Sequence, residues 1–144
     1  EQEGRQLKDD FILRLDNIEK QLEKVKGLES TVVEEYQQKL KERMENYLAD
    51  VEMDEAKFLN EVAFFTDRAS ITEEVTRLAS HIERFRSILQ EKDPVGRKLD
   101  FLIQEIHREV NTIGSKANHL EISNHVVDMK SEVEKMREQI QNIE

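Results

Sequence analysis

Glu73, Arg77 and His81 stand at i, i+4 and i+8, with Glu74 three residues before Arg77 and seven before His81. On a helix that spacing gathers carboxylates, a guanidinium and an imidazole on one side. Two chemistries suit the set. Carboxylate oxygens and an imidazole nitrogen can hold a divalent metal, and an imidazole, which titrates near neutral pH, can move a proton. A solvated i,i+4 ion pair beside a surface histidine accounts for the same residues.

A second constellation lies in Gly96-Arg97-Lys98-Leu99-Asp100-Phe101-Leu102-Ile103-Gln104-Glu105, followed by Arg108, Glu109, Asn111 and Thr112. Asp100, Gln104 and Arg108 step by four along one helix face. Phe101, Glu105, Glu109, Thr112 and Lys116 follow a neighbouring one. Carboxylates a turn apart can share a hard cation, and interleaved Arg and Lys can hold phosphate oxygens. A charged, solvated face is the plainer account. A third signal is the turn Gly114-Ser115-Lys116, expected to leave its helix and offer N–H groups and a lysine to phosphate. It is not a Walker loop, because the glycine spacing is wrong and no strand precedes it. His107, His119 and His125 do not join His81 by helical spacing and are expected at the surface.

The elements that must position these groups are helices. Phe11, Leu15, Ile18, Leu22 and Val25 step by four and three, which predicts a first helix over 3–26 ending at Gly27. Ser30 or Thr31 is expected to cap a second, striped by Val33, Tyr36, Leu40, Met44, Tyr47 and Val51. The two would pair as an antiparallel hairpin. Asp54 opens a segment to Arg68 whose Phe58, Leu59, Val62, Phe64 and Phe65 read as core. Ser70 with Glu73 reads as a capping box for a helix carrying Val75, Leu78, Ile82, Phe85 and Leu89. Pro94 and Gly96 separate it from a helix over 97–113 that buries Leu99, Leu102, Ile103, Ile106, Val110 and Ile113. A final seam, Ile122, Val126, Met129, Val133, Met136, Ile140 and Ile143, suits a coiled-coil contact between copies or a bundle stripe equally. The expected fold is all-α: an antiparallel helical bundle, residues 54–144, with a hairpin arm over 1–53.

Composition agrees. One proline and four glycines in 144 residues, with 37% hydrophobic and 38% charged residues, suit helices with one buried stripe and a solvated back. Without cysteine there is no disulfide and no thiolate zinc site. No apolar run approaches the roughly 20 residues of a membrane helix. The chain opens on Glu1-Gln2-Glu3 with neither an initiator Met nor a signal peptide in view, and it reads as a piece of a longer protein. The net charge of −10 argues against nucleic acid as a partner. From Asp93 to Asn118, however, Arg97, Lys98, Arg108 and Lys116 balance Asp93, Asp100, Glu105 and Glu109, so that stretch is neutral and the deficit lies elsewhere.

GRKLDFLIQEIHREVNTIGSKA at 96–117 and KSEVEKMREQIQNIE at 130–144 resemble the C-terminal region of the bacterial YicC/YloC-type proteins, and EEVTRLASHI at 73–82 with Asn60-Glu61-Val62 extends the likeness upstream. The resemblance covers about the last 90 residues and implies a divalent-metal-dependent endoribonuclease, using Mn²⁺ or Mg²⁺, that acts in RNA turnover and stress response in the bacterial cytoplasm. It also implies a further N-terminal domain, and ring-like homo-oligomers, hexamers, that enclose RNA; DNA and membranes are not expected as partners. His81, Glu74, Glu105 and Glu109 are then the candidate catalytic and metal-ligating residues. Arg77, Arg97, Lys98, Arg108 and Lys116 are the candidate phosphate contacts. His81, Glu74 and Glu105 or Glu109 are expected to converge across the two helices that carry them. The competing reading is a non-catalytic helical oligomerisation or adaptor module, in which Arg–Glu pairs fix helix registry.

Overall fold

A computed structural model describes residues 2–47, 54–91 and 96–143. They form five helices and no strand: α1 (Gln2–Tyr47), α2 (Glu55–Ala69), α3 (Thr72–Leu89), α4 (Gly96–Ala117) and α5 (Leu120–Ile143). The all-α expectation holds. Among the described residues no helix is long and apolar enough to cross a membrane.

The first half of α1 with α3, α4 and α5 makes a four-helix bundle in the cyclic order α1, α5, α4, α3. Cross-links fix every neighbour antiparallel. Asp10, Arg14 and Gln21 of α1 meet Gln139, Glu132 and His125 of α5. Asp16 and Glu19 share Arg86 of α3, and Glu29 accepts from the Thr72 hydroxyl at 2.6 Å. The core runs the length of this bundle, with Phe11 and Phe85 edge to face at 5.5 Å toward the end where α3 finishes. The α5 seam from Ile122 to Ile140 is buried in it, against α1 and α4. That seam is therefore spent inside the chain and no longer argues for contact between copies.

The N-terminal hairpin is corrected. α1 is one helix of 46 residues, roughly 69 Å long, and it passes through Gly27 without a turn. The reason lies in its stripe. Val25, Leu28 and Val32 continue the three-and-four spacing across the glycine, so turning there would take Leu28 and Val32 off the core. Val51 and the expected boundary at 53/54 lie outside the described residues.

α2 is also corrected. Asp54 does cap it, accepting from the Lys57 N–H at 3.2 Å. Only Val62 of its apolar run is buried, and Leu59 and Phe64 are exposed. The helix lies against the distal half of α1, where Phe65 stacks on Tyr36 at 3.7 Å, and touches α4 only slightly, so most of its surface has no neighbour among the described residues. The capping box does not form. Ser70 is the C-cap of α2, Ile71 stands at the N-cap of α3, and no side chain caps that end.

Two glycines sit in helix interiors for different reasons. A methyl added to Gly27 would meet nothing within 4 Å, whereas at Gly114 it would stand 3.0 Å from Val126 Cγ1. Gly27→Ala should therefore stabilise the protein by about 0.5–1 kcal/mol through helix propensity alone. Gly114→Ala makes the same gain but overpacks the α4–α5 contact at a cost of about 1–3 kcal/mol, and should melt no later than the parent. Thermal unfolding of both variants checks this; a Gly27→Ala protein that melts earlier would contradict a straight α1.

Candidate functional site

α3 and α4 meet along most of their length, and their contact carries the two buried charged residues of the described chain. Glu74 and Glu109 are each 2% exposed. A carboxylate that deep stays ionised only if cations come to it. Arg77 does so. Its Nε donates to both oxygens of Glu109 at 3.0 and 3.1 Å, its Nη2 to Glu74 at 3.4 Å and its Nη1 to Glu73 at 3.5 Å. Lys116, in the last turn of α4, donates to Glu74 at 2.9 Å. Arg108 pairs with Glu105 at 2.7 Å and approaches Glu109 to 3.9 Å. Three cations thus link Glu74 and Glu109 in the interface to Glu73 and Glu105 at its edge.

Helix geometry explains the assembly. Antiparallel packing sets the first turns of α3 level with the last turns of α4, so residues 73–77 face 105–116. Burial pushes the Glu74 carboxyl up, but the hydrogen bond and charge of Lys116, with the charge of Arg77, outweigh it and hold the group below the ordinary carboxylate range. The bonds to Glu109 strengthen the proton affinity of Arg77 further. Glu74 Oε1 remains buried without a hydrogen-bond partner.

Of the residues expected at the site, Glu74, Arg77, Glu105, Arg108, Glu109 and Lys116 come together. His81 does not join their bonds. It lies one turn beyond Arg77 on α3, partly buried, and its Nε2 is sealed from solvent with no partner. Arg97 and Lys98 stand at the other end of α4, exposed. Glu74, His81, Glu105 and Glu109 are not gathered as one set here: among the described residues no group of three His, Asp or Glu side chains stands where it could hold an ion. Arg77 and Lys116 fill the space between the carboxylates that an ion would need.

Two further expectations change. Gly114-Ser115-Lys116 is helical, because α4 continues to Ala117 and turns at Asn118, whose φ of 32° is the left-handed conformation asparagine tolerates. Its N–H groups are therefore not a phosphate cradle. His119 and His125 are partly buried: His119 Nε2 lies 3.1 Å from Glu35, and His125 Nδ1 2.6 Å from Gln21 Oε1. Sequence spacing missed both, since each reaches across to α1. The Glu29–Thr72 contact and the Arg86 cluster were missed for the same reason.

The family model described as endoribonuclease YicC-like, C-terminal, matches residues 25–144. The chain belongs to the YicC-like family. It is 46% identical over 144 residues to the probable endoribonuclease YicC of Clostridioides difficile (strain 630), an alignment that covers 99% of this chain and 49% of that protein. It is 37% identical over 142 residues to the probable endoribonuclease YicC of Haemophilus influenzae, covering 99% and 49%. The chain spans about half the length of the curated relatives it matches.

Proposed function

We propose that this YicC-like chain is the C-terminal part of an endoribonuclease and that the α3–α4 network is its RNA-facing site. The observation that carries the reading is the way two buried carboxylates hold cations whose remaining donors face water. Arg77 is nearly half in solvent, Lys116 somewhat more than a third, and Arg108 is more exposed still. A guanidinium anchored on its inner edge keeps N–H donors for a phosphate on its outer edge, with little side-chain freedom left to lose. The same donors would meet the charge that develops on the non-bridging phosphate oxygens as an oxygen attacks phosphorus. His81, a turn away, is the proposed group that takes the proton from the attacking 2′-hydroxyl or water. The relatives' names support the reaction class, and RNA is the proposed substrate.

Several finer points belong to the same proposal: dependence on Mn²⁺ or Mg²⁺, a role in stress response, assembly into a homo-hexamer and residence in the cytoplasm. Because this network does not fit an ion, ligands for a divalent metal would come from RNA phosphates or from groups outside it. No step assigned here to this chain's residues runs through the metal.

A second reading is favoured by a specific observation. Arg–Glu pairs that fill an interface are what a registry clamp in an adaptor module would show. Incubating the full-length protein with a labelled structured RNA, with and without Mn²⁺ or Mg²⁺, separates the two. The nuclease reading expects discrete fragments. A protein that binds this RNA and never cuts it, with either metal, is an adaptor.

A further inference from the structure

A cleft of about 640 Å³ opens between the end of α3 and the start of α4, at the opposite end of their contact from the carboxylate network. Ile88 and Leu102 line its apolar part. Arg84, Ser87 and Glu91 come to it from α3, and Arg97, Lys98 and Phe101 from α4. Three features set it apart. Phe101 is 59% exposed, a large aromatic ring left in water on a helix whose Leu99, Leu102, Ile103, Ile106, Val110 and Ile113 are all buried. Arg97 and Lys98 precede it by one turn on α4, and Arg84 lies across the cleft, so the local balance is three cations against Glu91 on a chain whose net charge is −10. Among the described residues the ion pairs of α3 and α4 run through Arg77, Arg86, Arg108 and Lys116, and leave Arg84, Arg97 and Lys98 out.

We infer that this cleft is a second nucleic-acid contact, selective for unpaired RNA, in which a base stacks on Phe101 while Arg84, Arg97 and Lys98 hold the flanking phosphates. The inference rests on the RNA reading proposed above and deepens it by naming the form of RNA. An exposed ring with cations beside it serves a strand that offers bare base faces and phosphates together. A duplex keeps its base faces covered, so it can use the cations but not the ring. An apolar protein partner would have to desolvate three cations to reach the apolar floor, which argues against it. Phe101 and Glu109 are eight residues apart on α4, roughly 12 Å along its axis, so one strand can lie over both contacts.

The test uses the full-length protein, fluorescence anisotropy, and two labelled RNAs of equal length, one unstructured and one duplex, at one fixed salt concentration. Phe101→Ala should weaken the unstructured RNA by about 5- to 150-fold, the size of one base–aromatic stack, and change the duplex by less than about twofold. Phe101→Trp should restore the affinity. Equal losses on both RNAs, or no loss on either, overturn the stacking contact while leaving the RNA reading intact. A parent protein that binds neither RNA overturns both. A change in the mass of Phe101→Ala by light scattering, with affinity per subunit unchanged, would make the ring a contact between copies and overturn the inference.

Discussion

Arg77→Met is expected to destabilise the protein more than Glu109→Leu, the removal of its partner across the α3–α4 interface. Glu109 receives both of its close hydrogen bonds from this one guanidinium, and Arg108 approaches it only to 3.9 Å. Without Arg77, Glu109 is a carboxylate 2% exposed and nearly unpaired, and Glu74 keeps only Lys116. Breaking a buried pair from the cationic side strands the anion, because the anion cannot reach water. The reverse change is milder. Glu109→Leu removes the buried charge itself, and Arg77 keeps Glu73, Glu74 and solvent, so the loss is held to about 1–3 kcal/mol. Combining the two should recover much of the damage of Arg77→Met, a non-additivity expected of groups in direct contact. Urea midpoints at neutral pH measure all three proteins. Equal losses for the two single variants would mean that Glu109 is not held by Arg77 in solution.

His81→Ala should slow RNA cleavage by the full-length protein by about 10²–10⁴-fold, the usual weight of a proton-transfer group, and leave helix content unchanged. His81 follows Arg77 by one turn on the face of α3 that turns toward α4, and it is engaged in none of the ion pairs there. A buried polar atom without a partner, as Nε2 is, has either a structural cost or a use. With Nε2 sealed in, Nδ1 is the atom left to meet substrate. Circular dichroism and light scattering keep folding separate from chemistry. A variant that cleaves at the parent rate would make the ring a packing element.

Much of the fold was legible because the bundle helices obey their periodicities. Leu78, Ile82 and Phe85 on α3, and Leu99 to Ile113 on α4, are buried where their spacing placed them. The failures share one cause. Gly27 and Gly114 look like stops when judged locally, but a stripe of side chains already committed to the core carries the helix through each. The apolar run of α2 looks like core until its sparse contacts, with the distal half of α1 and slightly with α4, are seen. Glu74, Arg77, Glu105, Arg108, Glu109 and Lys116 meet on the helices where they were expected, since short connections force antiparallel neighbours, whereas His81 stays outside the bonds and Arg97 and Lys98 stand at the far end of α4. The chemistry of the site was not legible. Glu73, Glu74, Glu105 and Glu109 suggest an ion when only the acids are counted. Nothing in i,i+4 spacing shows that Arg77 reaches across to Glu109, or Lys116 to Glu74.

The central claim, that cations held by buried carboxylates face RNA phosphate, is tested most directly by salt. The affinity of the full-length protein for an unstructured RNA is measured across a series of salt concentrations and compared with that of an Arg108→Gln/Lys116→Gln variant. Each phosphate contact to a single strand contributes about 0.7 to the slope of log affinity against log salt, so losing two should flatten it by about 1.4. The account predicts that flattening with helix content unchanged; a variant with the parent's slope would contradict it.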